Sequence, residues 1–238
     1  MYSSSGVTMP GTTAIVIAHG ALGEVAALHR RLAMLPRGTL VVAADGGARH
    51  ARTLGLEVGL LVGDLDSLTA DEREAFEAAG ARLDVHPTDK DETDLELALL
   101  AACARADEIV VLAALGGRPD MALANVLLLA DPRLAGARVA VWEGDHTLWL
   151  IRPPGDAIGA RLGPAGAAPG DRLSLLPIGG PATGVTTKGL AYPLAGEALE
   201  LGPARGVSNW VTDASAHVAL QGGLLLAVHT PAGAVAAE

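Results

Sequence analysis

The sequence predicts an α/β protein: an N-terminal open, mostly parallel Rossmann-like sheet flanked by helices, then a C-terminal all-β antiparallel sandwich. Three observations carry this expectation. Short apolar runs alternate with helix-like stretches up to about residue 150, the pattern that sets parallel strands side by side with helices over both faces. Beyond that point the pattern changes to short β-prone runs separated by turn residues at close spacing. Between the two, residues 152–171 are rich in Gly, Pro and Ala and read as a linker or long loop. The expected domains are 12–150, α/β, and 151–238, β-sandwich.

In the first half the runs Ala14–Ala18, Leu40–Ala44, Leu60–Val62, Arg82–His86, Ile109–Ala114 and Arg138–Trp142 read as buried strands, bounded by Gly, Asp or Pro. Helices are expected near 23–34, 47–54, 70–79, 94–105 and 120–130. Two helix starts are marked. Thr69-Ala-Asp-Glu72 and Thr93-Asp-Leu-Glu96 both have the capping-box form, in which Thr caps the first amides and Glu reaches back. The second box puts Asp94 in a helix's first turn. In the second half, strands are expected at Arg172–Leu176, Gly184–Thr187, Leu190–Leu194, Ala198–Leu201, His217–Leu220 and Leu224–Val228. No internal repeat is visible.

Composition sets the class. The 238 residues are half hydrophobic (50%) and 18% charged, so the chain can build a sizeable core. A net charge of −10 argues against a nucleic-acid or anionic-membrane binder, which would carry a basic face. It leaves room for a phosphate ligand, because acids gathered in one cleft can hold Mg²⁺ and the metal then carries the polyphosphate. One cysteine, Cys103, rules out an internal disulfide framework and suits a reducing cytosol. Met1–Gly11 is polar and expected to fray. Ala14–Ala18 is too short for a signal sequence, and no run is long enough to span a membrane. The expectation is a soluble, cytoplasmic protein.

In an open parallel sheet, ligands bind beyond the carboxyl ends of the strands. Four acidic or Gly-rich segments fall there: Ala44-Asp-Gly-Gly47, Gly63-Asp-Leu-Asp-Ser67, Asp89-Lys-Asp-Glu-Thr-Asp94 and Gly116-Gly-Arg-Pro-Asp120. Asp64 and Asp66, two apart on a loop leaving a buried strand, project together if strand geometry persists. Such a pair is costly without a cation, and Mg²⁺ is the natural one; turn-forming aspartates are the other reading. The run Asp89–Asp94 reads either as a solvated loop or as a docking point at a helix start, where a metal–phosphate is favoured. Lys90, one of two lysines, fits a phosphate contact or a salt bridge. After the fourth strand, Gly116 and Gly117 would let backbone approach a ligand, and Arg118 can grip phosphate with its planar fork. Asp120 would orient that fork, or the two would only stitch a turn. Asn125, in an apolar helix, reads as a ligand contact or, the preferred reading, a satisfied core amide.

There is no Gly-x-x-x-x-Gly-Lys-Ser/Thr loop, no Gly-x-Gly-x-x-Gly fingerprint and no Gly-x-Ser-x-Gly elbow. The seven histidines are scattered, and His19, His86 and His217 read as structural rather than zinc ligands.

Asp45-Gly-Gly47, Gly63-Asp-Leu-Asp-Ser67, Lys90-Asp-Glu-Thr-Asp-Leu-Glu96 and Gly116–Asp120 with Ala124-Asn125 resemble the motifs of the thiamine pyrophosphokinase family, in its order and spacing. Ser174–Ile178, Gly184–Leu190 with Tyr192-Pro-Leu194, and Ser208-Asn209 resemble its β domain. The resemblance runs from about residue 14 to 229. It implies a homodimer that transfers the diphosphate of ATP to the hydroxyethyl oxygen of thiamine, giving thiamine diphosphate and AMP. It also implies Asp64, Asp66 and Asp94 as Mg²⁺ carboxylates, and Lys90, Thr93, Arg118 and Asp120 at ATP with Asp45 in the same cleft. Ser208 and Asn209 would reach a thiamine site formed across the dimer, with Trp210 as an aromatic face or a merely packed neighbour. Either Asp94 or Asp66 can accept the alcohol proton, and the base stays open. Met121, Trp210 and His19-Gly20 depart from the family's pattern and bear on the acceptor. Two rivals keep the aspartates in view: a pyrophosphokinase acting on another alcohol such as a hydroxymethylpterin, and a non-catalytic thiamine- or nucleotide-binding relative.

Overall fold

The computed structural model describes residues 12–161 and 166–237. The expectation for Met1–Gly11 lies outside the described residues, as do positions 162–165 of the expected linker.

Strand β1 (Thr13–Ile17) is the centre of the first half. It pairs in parallel with β2 (Leu40–Ala44) on one side and β5 (Glu108–Leu112) on the other. Beyond β2 lie β3 (Leu60–Gly63) and β4 (Arg82–Val85), also parallel, and beyond β5 lies β6 (Arg138–Glu143). Both faces of the central strands are buried, which is why they read as unbroken apolar runs. Ala14, Val16, Val42, Val62 and Ile109 turn to one face, where Leu95, Ala98, Leu99 and Ala102 of helix α4 (Asp94–Cys103) cover them. Ile15, Ile17, Ala43, Leu61 and Val110 turn to the other. There they meet Leu28 of α1 (Val25–Leu32), Ala48 and Ala51 of α2 (Gly47–Thr53), and Phe76 of α3 (Ala70–Ala78). Helix α5 (Pro119–Leu128) lies on the α4 side.

The open, mostly parallel sheet expected from the sequence describes only these six strands. The whole sheet is mixed and has 13 strands, because it does not stop at β6. A two-residue turn, Gly144-Asp145, leads back into β7 (His146–Ile151), which pairs antiparallel with β6. The late strand β13 (Gly222–Thr230) then pairs antiparallel with β7 and with β9 (Arg172–Lys188). The 17-residue β9 absorbs both expected strands 172–176 and 184–187. At Gly179-Gly180 both φ angles are positive; before them it pairs with β13, and beyond them with β10 (Ala195–Leu199) and β12 (His217–Ala219), keeping one β13 partner, Gly222, at Thr183. Two short strands, β8 (Gly155–Ala157) and β11 (Asn209–Trp210), complete the region. Leu190–Leu194 is not a strand; only Leu190 bridges to Val211. The expected strand at 198–201 begins earlier, at Ala195.

The all-β region has its own core. Trp149, Ile151, Leu173, Leu175 and Leu225 on the long sheet pack against Val185, Leu199, Val211 and Val218. Among the described residues no helix is long and apolar enough to cross a membrane.

Candidate active site

The chain runs β1 to β4 on one side of the sheet and then crosses back to β5 on the other side of β1. Such a reversal opens a crevice beyond the carboxyl ends of the strands it separates. A cleft of about 680 Å³ lies there, between Ala18–Ala21 after β1, Ala44-Asp45 after β2, Thr88–Leu95 leading into α4, and Gly116–Arg118 before α5. That is the size of a small-molecule site.

Glycines let these loops close on one another. A Cβ on Gly47 would stand 2.2 Å from the Ile17 carbonyl oxygen, and one on Gly46 would stand 2.3 Å from the His19 ring. A Cβ on Gly116 would stand 2.2 Å from Ala21 Cβ, so this glycine, which lines the cleft, also lets the two loops pack. Gly117, at φ 93°, has open space beside it.

Asp45 is buried at the end of β2 with φ 44°; its N–H donates to the Val62 carbonyl and its carbonyl accepts from Ala48 N–H. Its Oδ1 has no hydrogen-bond partner among the described residues, and the His19 ring nitrogen Nδ1 lies 4.0 Å from Oδ2. Asp64 and Asp66 flank Leu65, which is fully buried with φ 60°. This left-handed residue folds the loop so that Asp66 N–H donates to Asp64 Oδ1 at 3.2 Å. That bond, with Lys90 and the Thr88 hydroxyl, outweighs burial and holds the Asp64 carboxyl below its ordinary value. Oxygens of Asp45, Asp64 and Asp66 all lie within 4.8 Å of one another.

The structure therefore gathers Asp45, rather than Asp94, with the Asp64–Asp66 pair. Asp94 is close by: a Cβ on Gly63 would touch its Oδ1 at 2.8 Å and Asp45 Cβ at 3.3 Å. Its partner is Lys90, whose Nζ lies 3.0 Å from Asp94 Oδ1 and 3.7 Å from Asp64 Oδ2. Thr93 caps α4 by accepting from Glu96 N–H at 3.2 Å. The capping box at Thr69–Glu72 forms in full, but the second one only by half, because the Glu96 carboxylate turns to Arg133. Arg118, at the N-cap of α5, holds Asp120 with both prongs, at 3.2 and 2.5 Å, on the exposed lip of the cleft. Asn125 is the core amide expected, donating to the Ala114 carbonyl at 2.8 Å, and it also lines the cleft.

The β-region candidates lie apart, and none of them lines this cleft. Ser208, at φ 60°, donates its N–H to Ser174 Oγ. The buried Asn209 carboxamide is spent on backbone: it accepts from Tyr192 and Trp210 N–H and donates to the Tyr192 carbonyl. Trp210 is 36% exposed, with the Arg172 guanidinium 4.8 Å from its ring centre.

Sequence reasoning missed several cleft residues. His50 Nε2 must donate to the Gly20 carbonyl at 2.7 Å, because a carbonyl can only accept. Thr88 and Glu92 also line the cleft, and their only sequence signal is position, between β4 and α4; His19 and Met121, already marked as departures from the family's pattern, line it too.

Residues 33–141 match the family model described as the thiamin pyrophosphokinase catalytic domain, and residues 164–225 match that of the thiamin pyrophosphokinase vitamin B1 binding domain. Thiamine pyrophosphokinase of Bacillus subtilis is 26% identical over 197 residues, 81% of this chain and 87% of that one. Thiamine pyrophosphokinase 1 of rice is 25% identical over 204 residues, 76% of this chain and 75% of that one. The crystal structure of the B. subtilis protein superposes with a TM-score of 0.77 at 23% identity, covering 92% of this chain and 99% of that one. That of thiamin pyrophosphokinase from Geobacillus thermodenitrificans gives 0.73 at 25%, covering 92% and 97%. The matched segments define a kinase-type transferase. The chain belongs to the thiamin pyrophosphokinase family.

Proposed function

We propose that this enzyme transfers the diphosphate of ATP to the hydroxyethyl oxygen of thiamine, releasing AMP, and that it does so with Mg²⁺ in the Asp45–Asp64–Asp66 cluster. The observation that carries the reading is this cluster at the strand-order reversal, with a buried Asp45 oxygen left unpartnered. Three carboxylates this close repel unless a cation sits among them, and an all-oxygen set suits Mg²⁺. When bound, Mg²⁺ supplies charge neutralisation along the polyphosphate and helps hold it in line for attack.

The chain's own residues do the positioning. Asp64 and Asp66 are the metal carboxylates, with Asp45 beside them. Asp94 joins the set once Lys90 leaves it for a phosphate, and Thr93 and the start of α4 present N–H groups to the same anion. Arg118, pre-aligned by Asp120, grips the polyphosphate from the lip of the cleft. Either Asp66 or Asp94 accepts the alcohol proton.

The acceptor half is assigned to the β region. Residues 12–150 would form the nucleotide domain and 151–238 the thiamine and dimerisation domain. Ser208, Asn209 and Trp210 would face thiamine, Asn209 through the backbone it fixes. Because their loop does not line its own chain's cleft, a homodimer that brings the partner's loop there is the arrangement this reading calls for. The protein would work in the cytoplasm, with no nucleic-acid or membrane partner.

The test is AMP release from Mg-ATP with thiamine, and with a hydroxymethylpterin in parallel. Thiamine-dependent AMP is the expected result. Thiamine binding with no AMP would leave a non-catalytic relative, and AMP with the pterin alone would move the acceptor. Asp66→Asn should abolish turnover with the fold intact.

A further inference from the structure

We propose that Arg49 is a positioning residue for the metal cluster, and that its two-pronged grip on Glu72 sets the cation affinity of the Asp64–Asp66 turn. The inference rests on the metal reading above.

Arg49 belongs to the helix that Asp45 opens: Ala48 N–H bonds to the Asp45 carbonyl and Arg49 N–H to that of Gly46, both at 3.1 Å. From this helix the guanidinium crosses to the neighbouring loop. Nε donates to Glu72 Oε1 at 2.8 Å, and one terminal nitrogen donates to Glu72 Oε2 at 2.7 Å and to the Ser67 carbonyl at 2.8 Å. Ser67 directly follows Asp66. Glu72 in turn accepts from Thr69 N–H at 2.9 Å, closing the capping box of α3. One side chain thus joins the helix carrying Asp45, the carbonyl beyond Asp66 and the first turn of α3.

The turn needs such a clamp. Leu65 sits in the left-handed region, a strained conformation for a non-glycine residue. The turn also carries two of three mutually repelling carboxylates. Asp66 is exposed, and the contact of its own carboxylate is a long one, 3.4 Å from Ser67 Oγ. Its place is therefore set by backbone: the buried Leu65 on one side and the Arg49-bound Ser67 on the other.

Charge and position predict opposite outcomes. Arg49 is a cation near a cation site, so removing its charge alone would strengthen metal binding. Losing its grip would weaken it, as supporting residues around metal ligands generally do, by about 10–100-fold.

The experiment is Mn²⁺ titration of the full chain, followed by the loss of free Mn²⁺ signal in electron paramagnetic resonance, with melting curves in parallel. Arg49→Gln is compared with Arg49→Lys, which keeps the charge without the fork, and with Arg30→Gln, whose side chain pairs with Asp145 away from the cleft. The expected result is an affinity lower by at least about tenfold in both Arg49 variants and unchanged in Arg30→Gln. Should Arg49→Gln fail to fold, Arg49→Lys decides alone, because its charge matches the wild type. Affinity unchanged or raised in a folded Arg49 variant overturns the inference and leaves the metal reading standing. Absence of Mn²⁺ binding by the wild type removes the metal reading, and this inference with it.

Discussion

The ammonium of Lys90 lies 3.0 Å from Asp94 Oδ1, a contact between residues i and i+4 across the start of α4, and the same nitrogen reaches Asp64 at 3.7 Å. Burial alone would lower the Lys90 pKa, but the two carboxylates outweigh it and the net shift is upward. Lys90 is therefore charged across the physiological range and acts as a resident counter-ion for the acidic cleft. A polyphosphate entering with its own cation can take over both sides of this pair.

Lys90→Met should then have opposite effects on two measurements. Without substrate, Mg²⁺ or Mn²⁺ affinity should rise, because a competing cation is gone. With substrate, kcat/KM for ATP should fall on the order of a hundredfold, because a fixed charge on the polyphosphate is lost. Metal titration and steady-state AMP release read the two separately. A fall in both would mean that Lys90 supports the loop rather than the ligand.

Gly47→Ala should destabilise the protein by about 1–3 kcal/mol, the usual range for forcing extra volume into a packed site. The added methyl would meet the Ile17 carbonyl oxygen at 2.2 Å, and backbone of the central strand cannot swing aside as a side chain can. Gly117→Ala is the comparison. Its Cβ would meet nothing, so only the strain of φ 93° would be felt. Thermal melting of the two variants should rank Gly47→Ala as the more damaging.

Glu72 gives a prediction in acid. The Arg49 fork, helped by Thr69 N–H, holds its carboxyl at about 2, well below the ordinary 4.5. A depressed carboxylate contributes stability that is present above the unfolded value and is lost as pH falls toward the folded one. The melting-temperature gap between wild type and Glu72→Gln should thus be constant above pH 4.5 and close as pH approaches 2. A gap that stays open at low pH would show that Glu72 acts by packing alone.

The parallel half of the fold is legible because burial on both faces leaves strands such as Ala14–Ile17 and Leu60–Gly63 as unbroken apolar runs. The hairpin β6–β7 carried a readable signal, Gly144-Asp145 between two β-prone runs, yet the expected strand stops at Trp142. The course of β9 is harder. Pro177, Gly179 and Gly180 read as a turn, but the chain goes on pairing through them with different partners. At the site, the motifs located Asp64, Asp66, Lys90, Asp94 and Arg118. They did not join Asp45 to the carboxylate trio, because that contact exists only once β2 lies beside β3. The diversion of Glu96 to Arg133 and the grip of Arg49 on Glu72 are likewise tertiary pairings that no local spacing encodes.

The Asp171–His229 pair joins the start of β9 to the end of β13, with both side chains buried. Burial would raise the Asp171 carboxyl, but N–H donors from Ala168 and Ala232 and the His229 ring outweigh it and hold it low. His229 moves down from 6.5: burial disfavours its cation and outweighs the attraction of Asp171, with the Arg31 charge adding to the fall. The ring is thus neutral in the folded protein at pH 7 and donates from Nε2 to the carboxylate at 2.8 Å. An unfolded chain protonates this histidine below pH 6.5 while the folded one resists, so this group's contribution to stability falls with pH in that window. His229→Gln should flatten the slope of melting temperature against pH just below 6.5. Asp171→Asn should cost about 1–3 kcal/mol near neutral pH, because it leaves buried donors short of a charged acceptor. If the His229→Gln profile keeps the wild-type slope, another histidine carries the titration and the buried pair is only a packing element.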